Sequence, residues 1–295
     1  MIVARSRAEL NTALDGAPRP IGVVPTMGAL HEGHLALIRR ARAENATALV
    51  TIFVNPTQFL PHEDFSRYPR PIERDLALCE QSAVDIVFTP PVEEMYPPGF
   101  ATTVVVQGPS RRWEGEHRPG HFNGVATVVA RLLNLTRADR AYFGEKDYQQ
   151  LQVVRRLVAD LALPVDIVSC ETVRDPDGLA LSSRNVYLSE EQREQALALS
   201  RALRTAAGLA EAGERDIPTL EAAMREVVER AGLEIDYLVV VDPETLEPLQ
   251  RLEGAARALG AVRLGTVRLI DNLPIPPPRP TVPSPTLESP TRVSS

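Results

Sequence analysis

The 295 residues, 44% hydrophobic and 24% charged, are enough for two modest domains with real cores, and their composition excludes a chain too polar to fold. A net charge of −7 argues against a non-specific nucleic-acid binder, which would present a basic face. Cys79 and Cys170 have no CxxC spacing and read as free thiols. With no signal-peptide h-region in MIVARSRAEL and no run of about 18 apolar residues, the expectation is a cytoplasmic protein without a membrane span.

In chain order, residues 6–15 read as a short helix with Ser6 as N-cap and Glu9 as its capping-box partner. Ile21 to Val24 is an apolar run that reads as a buried strand, turning through Pro25, Thr26, Met27 and Gly28. Leu35, Ile38 and Ala41 share one face of a helix from His34 to about Asn45. TALVTIFVN at 47–55 is a continuous apolar strand of the kind buried on both faces of a parallel sheet, and Asn55-Pro56 ends it in a turn. There follow a helix at 72–81, strands at 85–90 and 102–107, a helix from about 125 to 135, a strand at 140–144, an amphipathic helix at 148–161 and a strand at 165–173. RRWEGEHRPGHFNG at 111–124 is a long polar loop of the kind that is functional or disordered. Alternating strands and helices with short connections imply an α/β, Rossmann-like, doubly wound parallel sheet over 1–173, with its site at the strands' C-terminal ends.

After 173 the texture changes. A turn-rich stretch, 175–185, leads to two long helices at about 189–212 and 217–231. Strands at 233–242 and 261–271 follow; alternation in the second suggests a half-exposed antiparallel strand with a bulge at Gly265. This predicts a smaller C-terminal α+β domain over 174–272, followed by a Pro-rich disordered tail at 273–295.

The chemistry-bearing residues cluster at the predicted strand ends. His31-Glu32-Gly33-His34 sits between a turn and a helix N-terminus, where free N–H groups favour an anion, and Gly33 allows close approach to the backbone. A metal pair is the competing reading, but zinc proteases space their histidines i, i+4, not i, i+3. Asn55 and Gln58 follow a strand end, and their amides can read the hydroxyls and carboxylate of a small acid; a turn-forming Asn with a solvated Gln is the bland alternative. Lys146 can reach phosphates from the end of strand 140–144, or be a plain surface charge. Ser182, Ser183 and Arg184 form a small polar loop suited to phosphate oxygens. Arg118 and His121 read equally as phosphate contacts, dimer contacts or a loop clamp.

PTMGALHEGH at 25–34, FVNPTQF at 53–59, RPGHFNGVATVV at 118–129, FGEKDYQQ at 143–150, LSSRN at 181–185 and the closing VRLGTVRLIDN occur in one colinear order over residues 1–272. Together they resemble the pantothenate synthetase (pantoate–β-alanine ligase) family of the HIGH-motif adenylate-forming superfamily. The resemblance implies an ATP-dependent ligase, with Mg²⁺ held mainly by ATP phosphates, that joins pantoate to β-alanine through a pantoyl adenylate and releases AMP and pyrophosphate. It implies catalytic roles for His31, His34, Lys146 and Arg184. ATP would be held by Met27, Gly28, His34, Gly144, Lys146, Asp147 (on the ribose), Leu181, Ser182, Ser183 and Arg184. Pantoate would be held by Gln58 and Gln150 with Asn55, and by apolar contact with Pro25, Met27 and Phe59. It further implies a homodimer, a C-terminal lid and no nucleic-acid partner. Leu60 and Leu181 stand where family members often carry Gly and Met. The alternatives are a nucleotidyltransferase of the same superfamily, which would leave labelled nucleotide in its product, or a nucleotide-binding regulator, which would release no pyrophosphate.

Overall fold

Apolar runs that do not alternate are satisfied only inside a sheet covered on both faces, and there the chain places them. The structure, a computed structural model, describes residues 1–61 and 63–277. The first unit runs β1 (Ile2–Ala4), α1 (Arg7–Asp15), β2 (Ile21–Thr26), α2 (Glu32–Glu44), β3 (Thr47–Ile52), α3 (Ile72–Gln81), β4 (Ile86–Phe88), α4 (Val92–Met95), α5 (Glu114–His117), α6 (His121–Thr136), β5 (Arg140–Gly144), α7 (Tyr148–Asp160) and β6 (Asp166–Cys170). The second runs α8 (Glu190–Glu211), α9 (Ile217–Arg230), β7 (Glu234–Val241), β8 (Ala256–Leu264) and β9 (Val267–Ile275).

The first six strands form one parallel sheet in the order β1-β4-β3-β2-β5-β6. Successive residues on a strand face opposite ways. Val23, Leu49 and Phe143 therefore pack with α1, α6 and α7, while Val24, Val50 and Tyr142 pack with α2 and α3. From β2 the chain builds outward through β3 and β4, then returns to lay β5 on the other side of β2. The order reverses there, and a crevice opens at the C-terminal ends of β2 and β5.

The second unit is an antiparallel β7-β8-β9 sheet with α8 and α9 on one face. Its other face is not solvent. Val241, Leu246 and Leu259 join the same apolar cluster as α6 and α7. No helix among the described residues is long and apolar enough to cross a membrane.

Three expectations need correction. Residues 102–107 form no strand: Val104 donates its N–H to the Thr127 hydroxyl of α6 (2.9 Å) instead of to a strand, and Val105 is exposed. The stretch 261–271 is not one bulged strand but the two arms of a hairpin, β8 and β9, which pair Leu264 with Val267 across Gly265-Thr266. The Pro-rich tail does not begin at 273, because Leu273–Ile275 belong to β9 and Ile275 is buried. Pairing of β1 with β4 at the sheet edge was not anticipated. The tail from 278 onward, expected to be disordered, lies outside the described residues.

Candidate active site

The loop after β2 is built to present two imidazoles. Gly28 and Ala29 both have positive φ, +80° and +50°, and the buried Asp75 carboxylate holds the turn by accepting the N–H groups of Ala29 and Leu30 (2.8 Å each). His31 then caps α2: its Nδ1 accepts from the Gly33 N–H (3.2 Å), and His34 Nδ1 accepts from the His31 N–H (3.3 Å). With both Nδ1 atoms accepting, the ring proton of each sits on Nε2, so each histidine offers one outward donor. The rings lie 4.1 Å apart. Desolvation, reinforced for His31 by Lys146 and for His34 by His31, lowers both pKa values, His34 to about 3. They are neutral donors at neutral pH. Gly33 is needed for this packing, since a Cβ there would lie 2.9 Å from the His31 ring.

The turn after β3 presents Gln58. Asn55, 1% exposed, is consumed within the protein: its Nδ2 donates to Gln58 Oε1 (3.0 Å) and to the Gly124 carbonyl (3.2 Å), and its Oδ1 accepts from Thr57 and from the Tyr96 hydroxyl (2.7 Å). The expected direct reading of an acid by Asn55 therefore becomes support for Gln58, because its amide has no free group left to offer. Gln58 Nε2 rests against Met27 Sδ (3.4 Å). His121 donates from Nδ1 to the Gln58 carbonyl (2.8 Å) and accepts at Nε2 from Arg118 (3.1 Å), while Arg118 grips Glu63 with two bonds (2.6 and 2.7 Å). Burial, with Arg118 beside it, lowers His121 to about 4. Of the readings open for Arg118 and His121, the geometry matches the loop clamp.

The turn Glu145–Asp147 after β5 carries Lys146, 4.0 Å from the half-exposed Asp147 carboxylate, and Gln150 follows one turn into α7. Facing them is the loop 181–185. Ser182 caps its turn by accepting from the Arg184 N–H (3.3 Å), and Arg184 pairs with Asp64 through two bonds (3.2 and 3.1 Å), its guanidinium 6.0 Å from the Tyr68 ring. Burial pushes the Asp64 carboxyl up, but the Arg184 partnership outweighs it and leaves the pKa below its ordinary value.

A cavity of about 240 Å³ collects all the residues expected of the site except Gly28, which lies in the supporting turn. A larger space of about 470 Å³ adjoins it beneath the β8–β9 hairpin and shares Lys146, Gln150 and Arg184 with it, but not His31 or His34. The smaller cavity is therefore the candidate reaction site. Sequence reasoning missed Asp64, Asp75 and Tyr96. Each acts from a distant segment, and no local spacing marks it.

The sequence model of the family described as pantoate-beta-alanine ligase matches residues 2–274. A pantothenate synthetase of Roseiflexus is 55% identical over 273 residues, 92% of this chain and 98% of the relative. The solved pantothenate synthetase of Thermus thermophilus superposes with a TM-score of 0.90 at 52% identity, covering 94% of this chain and all of that one. The pantoate-beta-alanine ligase of Francisella tularensis, solved in complex with beta-gamma ATP and beta-alanine, superposes with a TM-score of 0.77 at 34% identity, covering 92% and 97%. With its parallel sheet, its small antiparallel sheet and its motifs gathered at one crevice, the chain belongs to the pantoate-beta-alanine ligase family, and its activity is the amide-forming ligation of pantoate to β-alanine.

Proposed function

We propose that the 240 Å³ cavity is where ATP and pantoate react, with the residue roles that the family resemblance implies. The observation that carries this reading is the convergence of two neutral Nε2–H donors, two cations and two glutamine amides at the reversal between β2 and β5. A pantoate carboxylate oxygen forms a bond to the α-phosphorus of ATP as the bond from that phosphorus to pyrophosphate breaks. Negative charge grows on the phosphoryl and leaving oxygens. His31 and His34 donate hydrogen bonds to it, and Lys146 and Arg184 offset it. Gln58 and Gln150 hold pantoate against Pro25, Met27 and Phe59, and Asp147 takes the ribose. The amine of β-alanine then attacks the acyl carbon, forming the amide as the bond to AMP breaks. Water must be kept from the mixed anhydride meanwhile, and residues 174–272 serve as the cover.

Mg²⁺ neutralises phosphate charge when bound. It keeps much of its water shell and needs only one or two carboxylates besides phosphates, which fits a cavity lined by Asp147 and Glu171, with Asp64 in the adjoining space. A cytoplasmic homodimer completes the reading, supported by the resemblance and by the two free, buried thiols Cys79 and Cys170.

The test is pyrophosphate release with pantoate, with and without β-alanine, using ATP labelled in the adenine. Pantoate-dependent pyrophosphate and label recovered as free AMP after β-alanine is added are expected. Label retained in the final product would establish a nucleotidyltransferase instead.

A further inference from the structure

The hairpin that roofs the larger space carries, midway along β9, two adjacent polar residues, Asp271 and Asn272, that are 5% and 3% exposed. Neighbours on a strand point to opposite faces, and these two reach different loops of the site. Asn272 Nδ2 donates to the carbonyls of Glu145 and Lys146 (2.8 and 2.9 Å), so it holds the backbone of the Lys146 turn. Its Oδ1 accepts from Arg257 Nε (2.8 Å), and Arg257 pairs with Glu145 (2.9 Å) while lying 3.9 Å over the Tyr148 ring. Asp271 accepts two bonds from Arg174 (2.6 and 2.9 Å). Arg174 bridges to Ala180 across the small turn that leads into 181–185, and also donates to the Gly178 carbonyl (3.2 Å). Buried polar groups are tolerated only when bonded, and apolar residues of like size would close this hairpin as well. The polar choice therefore buys orientation.

We propose that Asp271 and Asn272, acting through Arg174 and Arg257, are positioning residues that set the distance between the Lys146 turn and the Arg184 loop, and with it the fit of the triphosphate to the two cations. Neither residue touches the reacting atoms. The proposal rests on Lys146 and Arg184 being phosphate ligands, as read above. Its particular consequence is that losing the pair weakens grip on the outer phosphates most, disturbs the ribose contact of Asp147 in the same turn less, and leaves the Gln58 side of the pantoate pocket alone.

Two variants test it, Asn272→Leu, which keeps the bulk and loses the bonds, and Glu145→Gln, which leaves the fold's core alone and weakens the Arg257 brace. ATP, AMP and pantoate binding are measured by calorimetry, and steady-state kinetics are run beside thermal unfolding. In Asn272→Leu, kcat/KM for ATP should fall by about 10²-fold, the order expected from a misplacement of about 1 Å, with a smaller fall in Glu145→Gln. AMP affinity should fall less than ATP affinity, because AMP keeps only the Asp147 contact of that turn, and pantoate affinity should stay within about twofold of wild type in both. ATP kinetics unchanged in Glu145→Gln and in folded Asn272→Leu overturn the proposal, as does equal weakening of ATP, AMP and pantoate. If Asn272→Leu is not recovered folded, the split between ATP and AMP in Glu145→Gln decides alone. Wild-type protein that does not bind ATP overturns the phosphate-ligand reading instead.

Discussion

Each imidazole of the His31/His34 pair spends its Nδ1 on a backbone N–H, which leaves Nε2–H as its only free group. A donor fixed in this way costs no reorientation when charge develops, so His34→Ala should lower kcat by about 10²–10³-fold with ATP KM far less affected. Steady-state kinetics check this, and turnover near wild type would remove His34 from the chemistry. Neutrality also sets the pH behaviour. The folded chain holds His34 at about 3 and His121 at about 4, against an ordinary value of 6.5. Below about pH 6.5 the unfolded chain binds protons that the folded chain refuses, so the stability these two contribute is complete above that pH and lost as pH falls toward 4 and then 3. Each contributes at most about 1.4 kcal/mol per pH unit. Urea midpoints should fall between about pH 7 and pH 5, and fall less in His121→Phe. Equal slopes in the two proteins would show that His121 titrates normally.

Elements were legible where the signal was local. The Ser6–Glu9 capping box forms as the spacing predicts, and the helix at 72–81 has those bounds. The strand at 140–144 has its expected bounds and those at 21–26 and 47–52 end within three residues of them, so the motifs that follow could be assigned to one edge of the sheet. Elements whose state depends on a distant partner were not legible. TTVVVQ has strand propensity but lies beside a helix, and AVRLGTVRLID keeps its alternation through a two-residue turn, so a hairpin looks like one strand. The site was legible as residues but not as supports: nothing near Asn55 says that Tyr96 and Gly124 will use up its amide. That support makes a prediction. A Cβ on Gly124 would lie 2.3 Å from the Thr57 carbonyl oxygen and 2.7 Å from Gln58 Cα, backbone that cannot swing aside. Gly124→Ala should therefore shift the Gln58 turn, costing about 1–3 kcal/mol of stability and raising pantoate KM about tenfold while ATP KM changes by less than about twofold. Initial rates against each substrate separate the two, and a rise in ATP KM as large as that for pantoate would mean the whole cleft had moved.

At the scale of the molecule, the second unit is docked on the first by more than a linker. Arg268 bridges Glu114 (2.6 and 2.8 Å) to Asp236 (2.6 Å), the Tyr237 hydroxyl donates to Glu114 (3.2 Å), and Tyr148 donates to the Pro243 carbonyl (2.9 Å). Val241, Leu246 and Leu259 complete an apolar cluster with α6 and α7. A unit joined this way would move only as packed surfaces slide or as its loops rearrange, not as a free flap, and it should not unfold alone. The single tryptophan reports on the seam. Trp113 donates its indole N–H to the Leu246 carbonyl (2.9 Å) and lies 6.0 Å from the Tyr237 ring. Trp113 emission and far-UV circular dichroism should therefore trace one urea transition. Arg268→Met strips a buried partner from both Glu114 and Asp236, so it should cost about 3–5 kcal/mol. It should also separate the two probes, with Trp113 emission changing at lower urea than the dichroism, because the seam is weakened while the sheet of β1 to β6 keeps its own core. Two distinct transitions already present in the wild type would show that the units fold independently. Coincident probes in Arg268→Met would show that the apolar cluster holds the seam without the charges.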